Sequence, residues 1–491
     1  MSLIASELAQ WRRRPVRELL AGAVATFALI PEVIAFSFVA GVDPQVGLYA
    51  SFVISVVIAF TGGRPAMISA AAGSVALVAA PLVASHGLHY LLAAGVLAGL
   101  IQIVFGLLRL GVLMRFVSSS VRTGFVNALA ILIFSAQLPQ LAGATTATWV
   151  MLALGLVIIY GLPRLPLPGL QAIPSPLICI VALTLITAWL GLPLKTVADL
   201  GQLPSSLPGW HGIVVPLDLD TLRIVAGPAI AIAMVGLLES MMTARVVDEL
   251  TDSPSSKSRE CAGLGLANIG ASLFGGIAGC GMIGQTVGNV RYGGRGRLST
   301  LFAGVFLLVL MVLLKPWVSQ VPVVALVAIM VMVSVSTFDW GSLRTLVTHP
   351  RLSTLVMIAT VVATLVSRDL SIGVGLGVLL SALFFAWKAA GALQVQHLEQ
   401  RADDGTLTHR YRVRGQVFFA SADAFVDAFD PREVEGARVE LDVSAARFWD
   451  VTALAALDKV RSRFDHHGCA VQVIGLHDAA LLPDAVGDTP V

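Results

Sequence analysis

The sequence predicts an α-helical polytopic membrane protein, with fourteen transmembrane segments in a 7+7 inverted repeat followed by a small cytoplasmic α/β domain. Three observations carry this reading. A chain of 491 residues that is 56% hydrophobic and 13% charged, with a mean hydropathy of +0.85, is not an ordinary soluble domain. Its apolar runs fall seven before Arg223 and seven from it onward, and two consecutive halves with an odd number of crossings must have opposite orientations. From about Leu393 the composition returns to that of a soluble protein.

Met1–Arg17 carries Arg12, Arg13 and Arg14 ahead of the first apolar run, as a secretory signal would. That run contains Pro31 and Glu32, continues to Ala40 and has no small-residue cleavage site. Residues 1–18 are therefore read as a cytoplasmic segment and 19–40 as a retained first helix. Spans follow near 46–62, 89–108, 123–141, 147–163 and 175–192, with a shorter, glycine-broken stretch at 73–84 among them. Pro-rich joints at Leu162–Pro176 and Leu203–Pro216 interrupt the helical pattern. Asp218, Asp220 and Thr221 offer N-caps for the eighth helix, 223–248. Segments at 261–277, 298–314, 321–337, 352–367 and 370–390, with a second short stretch at 284–291, complete the transmembrane domain, 19–392.

Basic residues give an independent check on orientation. With the amino terminus inside, cytoplasmic connections carry Arg64, Arg109, Arg115, Arg122, Arg164, Arg245, Lys257, Arg259, Arg291, Arg295, Arg297, Arg344 and Arg351. Outer connections hold chiefly Lys195, Lys315 and Arg368. A miscounted span would reverse this bias midway, and no reversal occurs. The chain is thus expected in the cell's inner (plasma) membrane, with the lipid bilayer as its first partner. A net charge of +2, scattered over membrane loops, gives no reason to expect nucleic acid. Cys179, Cys261, Cys280 and Cys469 show neither paired nor metal-ligand spacing, so no metal and no cofactor is expected. Phosphate-binding Gly-Lys-Ser loops and nucleophile elbows are absent, and no catalytic residue is assigned: the chain is not read as an enzyme.

The chemistry concentrates at the two broken stretches, Ala70–Pro81 and Gly279–Asn289. Each is too short for a full span of ~20 apolar residues. Each trails a helix with a lone carboxylate: Gly73 follows Glu32 by 41 positions and Gly284 follows Glu239 by 45. Interrupted segments at matching places in two halves point to a transporter's binding site. A helix beginning inside the membrane offers unpaired N–H groups and the positive end of its dipole, a ready anion site. Gly73 with Ser74, and Gly284 with Gln285 and Thr286, supply open backbone plus neutral hydrogen-bonding side chains. Helix packing is the competing account of these glycines.

An intramembrane carboxylate is a functional candidate by default. Beside an anion, an ionised Glu32 repels and a protonated one donates, which points to proton-coupled binding with protons as co-substrate; a structural hydrogen bond is the alternative. For Glu239 three roles stay open: completing the site, anchoring the half-helix, or sharing the proton. Phe36 lies one turn after Glu32, on the same face. Arg291, Arg295 and Arg297 mark the cytoplasmic end of a helix, with attraction of anions as the other reading. His86 and His89 read as solvent-facing loop residues.

Beyond residue 392 the chain alternates strand and helix patterns: Thr408–Val413, Val417–Ala420, Arg438–Val443 and Val471–Gly475 as strands, Ala422–Phe429 and Val451–Phe464 as helices. Residues 393–407 are read as a linker, with Gln394–Gly405 exposed, and 408–491 as the α/β domain.

Gly22–Val53 (GAVATFALIPEVIAFSFVAGVDPQVGLYASFV), Val235–Asp252 (VGLLESMMTARVVDELTD) and Asn268–Ser299 resemble the first two and the eighth to eleventh helices of SulP anion transporters, the sulfate permease family. Val439–Leu457 (VELDVSAARFWDVTALAAL) resembles that family's STAS domain. The resemblance implies a core and a gate domain and an anion site between the third and tenth half-helices, in a homodimer. By motif it places Glu32, Phe36, Gly73, Ser74, Val75, Glu239, Gly284, Gln285 and Thr286 at the site. Many relatives carry Gln at the place of Glu32 and Arg near that of Gln285. These departures resemble the bacterial proton-coupled dicarboxylate (fumarate-type) members of the family. In the STAS turn Asp450-Val451-Thr452-Ala453, Thr452 is a candidate regulatory residue, with helix capping by Asp450 and Thr452 as the competing reading.

The expected function is secondary active transport, a proton-coupled symport of a small carboxylate or dicarboxylate. Sulfate, bicarbonate or chloride transport, an uncoupled anion channel and a membrane-anchored STAS receptor are the alternatives.

Overall fold

The computed structural model of the chain describes residues 15–110, 117–164, 174–199, 201–216, 218–348, 351–401 and 407–476. Arg12, Arg13, Arg14, Arg115, and the middle of the first Pro-rich joint lie outside them. The chain divides into two compact units, Met1–Val378 and Leu379–Val491.

All fourteen expected helices are present. The first half holds α1 (Pro15–Ala40), α2 (Pro44–Thr61), α3 (Gly73–His86), α4 (Leu88–Leu107), α5 (Ser119–Ser135), α6 (Thr146–Gly161) and α7 (Ser175–Leu190). The second holds α8 (Leu219–Thr251), α9 (Lys257–Leu273), α10 (Ile283–Arg291), α11 (Arg297–Leu313), α12 (Val323–Thr337), α13 (Arg351–Ser367) and α14 (Leu370–Ala390). Side chains cap several of them: Asp218 accepts the Thr221 N–H at 2.7 Å to start α8, and Ser256 accepts the Arg259 N–H to start α9. Two are short. At 1.5 Å per residue, α3 with 14 residues and α10 with 9 residues fall well below a bilayer's ~30 Å apolar thickness.

The helices sort by packing into two groups. Helices α1–α4 pack with α8–α11, the closest pairs being α4 on α9, α2 on α9 and α1 on α11. Helices α5–α7 pack with α12 and α13, and α14 adds to them at Gly373 and Gly377, against Thr364 and Thr360. The α4–α9 crossing is close because Gly99 and Gly265 face each other. A Cβ on Gly99 would come within 2.5 Å of the Gly265 carbonyl oxygen, and small residues are what lets membrane helices approach this near.

Ahead of each short helix the chain is extended: β1 (Ser69–Ala71) precedes α3 and β2 (Gly279–Gly281) precedes α10. They pair antiparallel, Ser69 with Gly281, Ala70 with Cys280 and Ala71 with Gly279. This two-stranded ladder joins the repeats, and the hydropathy pattern gave no sign of it.

The second unit has a sheet in the order β3 (Gln394–Arg401), β4 (Leu407–Val417), β5 (Arg438–Phe448), β6 (Ala470–Ile474). The first pair is antiparallel, the others parallel. Helices α15 (Ala422–Asp427) and α16 (Val451–His466) lie on one face, over a core that includes Tyr411, Val413, Leu441, Phe425 and Phe464. The expected linker is corrected here: Gln394–Arg401 is an edge strand registered on β4. Its glutamines, His397, Glu399 and Arg401 make it read as loop, yet polar side chains are what an exposed edge strand carries.

Candidate functional site

The ladder turns the two short helices into opposed termini. Because β1 and β2 run antiparallel, the helices that continue them, α3 and α10, start at opposite ends of the pairing. Neither has a side-chain cap at its N-cap residue, Ala72 or Met282, so the first-turn N–H groups are left for other acceptors. Both starts line one cavity of about 780 Å³.

The carboxylate helices form another wall. Glu32 and Phe36 of α1, Gly73 and Ser74 of α3, Glu239 of α8, and Gly284 and Gln285 of α10 all line the cavity. The Glu32 carboxyl has the Gln285 amide as its side-chain partner, and the Ser74 hydroxyl donates to the Glu239 carboxylate. Opposite them, α5 and α12 contribute Phe125, Leu129, Met332, Ser336 and Thr337. Hydropathy could not single these out, because each sits in an unbroken apolar run.

The two glycines behave differently. A Cβ on Gly73 would meet the Phe36 ring at 2.6 Å, so the ring is packed on bare backbone. A Cβ on Gly284 would meet nothing within 4 Å. Gly284 is the position where a ligand can approach the helix terminus.

Two expected residues point elsewhere. Thr286 is fully buried and ties α10 to the chain entering β1: its hydroxyl accepts the Ile68 N–H at 2.9 Å and donates to the Ile68 carbonyl at 3.3 Å. Val75 is buried and does not line the cavity. Residue order alone could not separate them from Ser74 and Gln285, since successive helix positions face different sides.

The extended strands would leave backbone groups unpaired in an apolar interior, and polar side chains of neighbouring helices satisfy them. Asn268 accepts the Gly279 N–H at 2.8 Å and donates to its carbonyl and to Gln102. Ser240 accepts the Gly281 N–H, and Thr243 donates to the Gly281 carbonyl. On the other strand Ser55 donates to the Ser69 carbonyl and Ser51 accepts the Ala71 N–H. These supports were missed in the sequence. Their one signal was a set of lone polar residues in apolar helices.

Of the arginines at and beyond the end of α10, Arg291, its last residue, lines the cavity. Arg295 donates to the Val290 and Gly294 carbonyls, and buried Arg297 donates to Ala59 and Gly62. Glu18 of α1 accepts the Arg295, Gly296 and Ser299 N–H groups and so starts α11. His86 and His89 are exposed, but on helices rather than in a loop: His86 ends α3 and His89 stands in the first turn of α4. In the second unit Asp450 caps α16, accepting the Ala453 N–H at 2.8 Å, while Thr452 is exposed in the first turn. All four cysteines are free and buried.

Known proteins share this architecture. The sulfate permease family matches residues 16–152 and 144–360, and the STAS domain matches 400–481. YbaR of Bacillus subtilis (strain 168), provisionally named a sulfate transporter, is 49% identical over 471 residues, 96% of each chain. The bicarbonate transporter BicA of Picosynechococcus is 28% identical over 393 residues, 74% of this chain and 68% of its own. The structure of the murine Solute Carrier 26 family member A9 anion transporter in the inward-facing state aligns with a TM-score of 0.80 at 18% identity, over 97% of this chain and 88% of that one.

Proposed function

Because the chain belongs to the sulfate permease family, an anion-transporter family, we propose that it is a secondary active transporter driven by protons, its substrate a small carboxylate or dicarboxylate. The observation that carries this reading is the pair of uncapped helix starts, α3 and α10, opening on one cavity beside Glu32. Backbone N–H groups and the Gln285 amide offer neutral donors to an anion, while the Ser74 hydroxyl is taken up by Glu239. Glu32 admits the anion when protonated and repels it when ionised, which couples the two fluxes. Glu239, held by Ser74, sets the α3 start and shares the proton. Transport follows when the α1–α4 and α8–α11 group carries the cavity past α5–α7 and α12–α14. We further propose that the transporter works as a homodimer in the plasma membrane with its amino terminus and STAS domain inside.

Inorganic sulfate or bicarbonate is the second reading, and the names of YbaR and BicA favour it. The deciding measurement is uptake by proteoliposomes of labelled fumarate, sulfate, bicarbonate and chloride, with and without an inward proton gradient. Fumarate uptake that rises with the gradient is expected. Glu32→Gln should abolish that rise. Sulfate uptake indifferent to protons would overturn the carboxylate reading.

A further inference from the structure

We propose that one end of the STAS domain is a docking surface for anionic phospholipid headgroups of the leaflet in which α14 ends. The sheet registers define that end. Gln394, where β3 begins, sits opposite Arg414 near the end of β4, and Val417 at the end of β4 sits opposite Phe448 at the end of β5. Only Gly391, Ala392 and Leu393 separate α14 from β3, a tether of at most about 14 Å. The tether lies against the same end of the sheet: a Cβ on Gly415 would come within 2.7 Å of the Ala392 carbonyl oxygen.

Two independent features of this end fit a charged bilayer surface. One is apolar. Phe419, Trp449 and Val451 are 68%, 66% and 77% exposed, an expensive display for a soluble domain but the usual one for interfacial anchors. The Trp449 indole N–H donates to Gln416, which orients the ring toward the helix-free face of the sheet.

The other feature is basic. That face carries Arg410, Arg412, Arg414, Arg438 and Arg447 against Glu440 and Asp442, by their registers. Asp442 is consumed by Arg410 and Arg412. Arg414 and Arg447, the two nearest the aromatic end, are exposed. Of the acids at this end among the described residues, Asp450 is occupied by the Phe419 and Ala453 N–H groups, and Asp423 belongs to α15 on the opposite face. Exposed aromatics beside free arginines, held within a short tether of a membrane helix, match the chemistry of a phosphate-bearing lipid surface.

The test uses the full chain in nanodiscs. Because the native cysteines are buried, Phe419→Cys accepts a maleimide carrying an environment-sensitive fluorophore. Emission should shift to the blue in discs containing phosphatidylglycerol and not in pure phosphatidylcholine, and the shift should fade at high salt. Arg414→Gln with Arg447→Gln should raise the phosphatidylglycerol fraction needed. Two contacts of about 1 kcal/mol each correspond to roughly 30-fold weaker partitioning. Lysine at both positions should restore the shift, and melting of the chain should be unchanged throughout. Equal emission in both lipids, meaning the patch is covered by protein or stays in water, would overturn the proposal. So would an equal shift when free glycerophosphoglycerol is added to phosphatidylcholine discs, which would assign a soluble phosphate ligand instead. Neither result bears on which anion is transported.

Discussion

Single residues decide the shape of the cavity. Gly73 and Gly284 look alike in the sequence, each opening a short helix. The packing separates them. Gly73→Ala forces a methyl group into the Phe36 ring, and overpacking of this kind costs about 1–3 kcal/mol. A lower melting temperature in detergent is expected, with recovery when Phe36→Leu is added. Gly284→Ala should leave melting unchanged and weaken substrate binding, because its methyl group enters open space. In the STAS domain, Asp442 is held down to about 2 by the Ser444 hydroxyl first, with Arg410 adding to the effect against burial. A folded value below the unfolded one of about 3.9 stabilises the domain above that pH, and the benefit is lost as pH falls toward 2. Asp442→Asn should therefore speed hydrogen exchange of the β4 and β5 amides at pH 7, by roughly 2 kcal/mol of opening free energy. The difference from the native chain should shrink steadily below pH 4.

At the scale of elements, the informative contrast is between helices and the ladder. The fourteen helices were legible because each is an apolar run ending at glycine, proline, charge or a capping residue, such as Asp218 before α8. Strands β1 and β2 were illegible. Three residues are too few for a period to emerge, and their pairing partner lies in the other repeat. The residues that make them possible, Asn268, Gln102, Ser51, Ser55, Ser240 and Thr243, are each one polar position in an apolar helix. Asn268→Ala would take the partner from the Gly279 N–H and carbonyl and from the Gln102 side-chain oxygen, at about 1–3 kcal/mol for each group left unsatisfied. Reduced yield and a lower melting temperature are expected, more than for Asn268→Asp, which retains the acceptor for Gly279. Thr452 belongs to this scale too, since it stands in the first turn of α16 beside the exposed Val451. Thr452→Glu should weaken the lipid-dependent fluorescence shift by placing a negative charge at that end of the domain.

At the scale of the molecule, topology came from counting and charge, and the split of helices into two groups did not. Counting says how many times the chain crosses. It cannot say that α4 lies on α9 or that α5 lies on α13, because those contacts join distant residues through glycine and small-residue surfaces. The orientation is open to direct measurement. With native cysteines buried, a cysteine placed at Gly209 should react with an impermeant maleimide on intact cells, and one at Arg109 only after the membrane is opened. The α/β domain was legible except at its edge strand, where polarity hid β3, and at Val417–Ala420, expected as a strand, where β4 ends at Val417 and a turn follows.

The pairing of β1 with β2 has a mechanical consequence. Each repeat supplies one short helix, yet the two are stitched through Ala70 and Cys280 into a single yoke. The helix starts cannot spread or close on a ligand without tearing this seam. In the proposed transport cycle, a passenger is thus handled by a rigid carriage whose selectivity is set before any movement begins. Access is governed separately, by whichever wall stands in front of it. Changes that loosen the yoke should therefore blur the choice of cargo, while changes in the wall should alter only the pace.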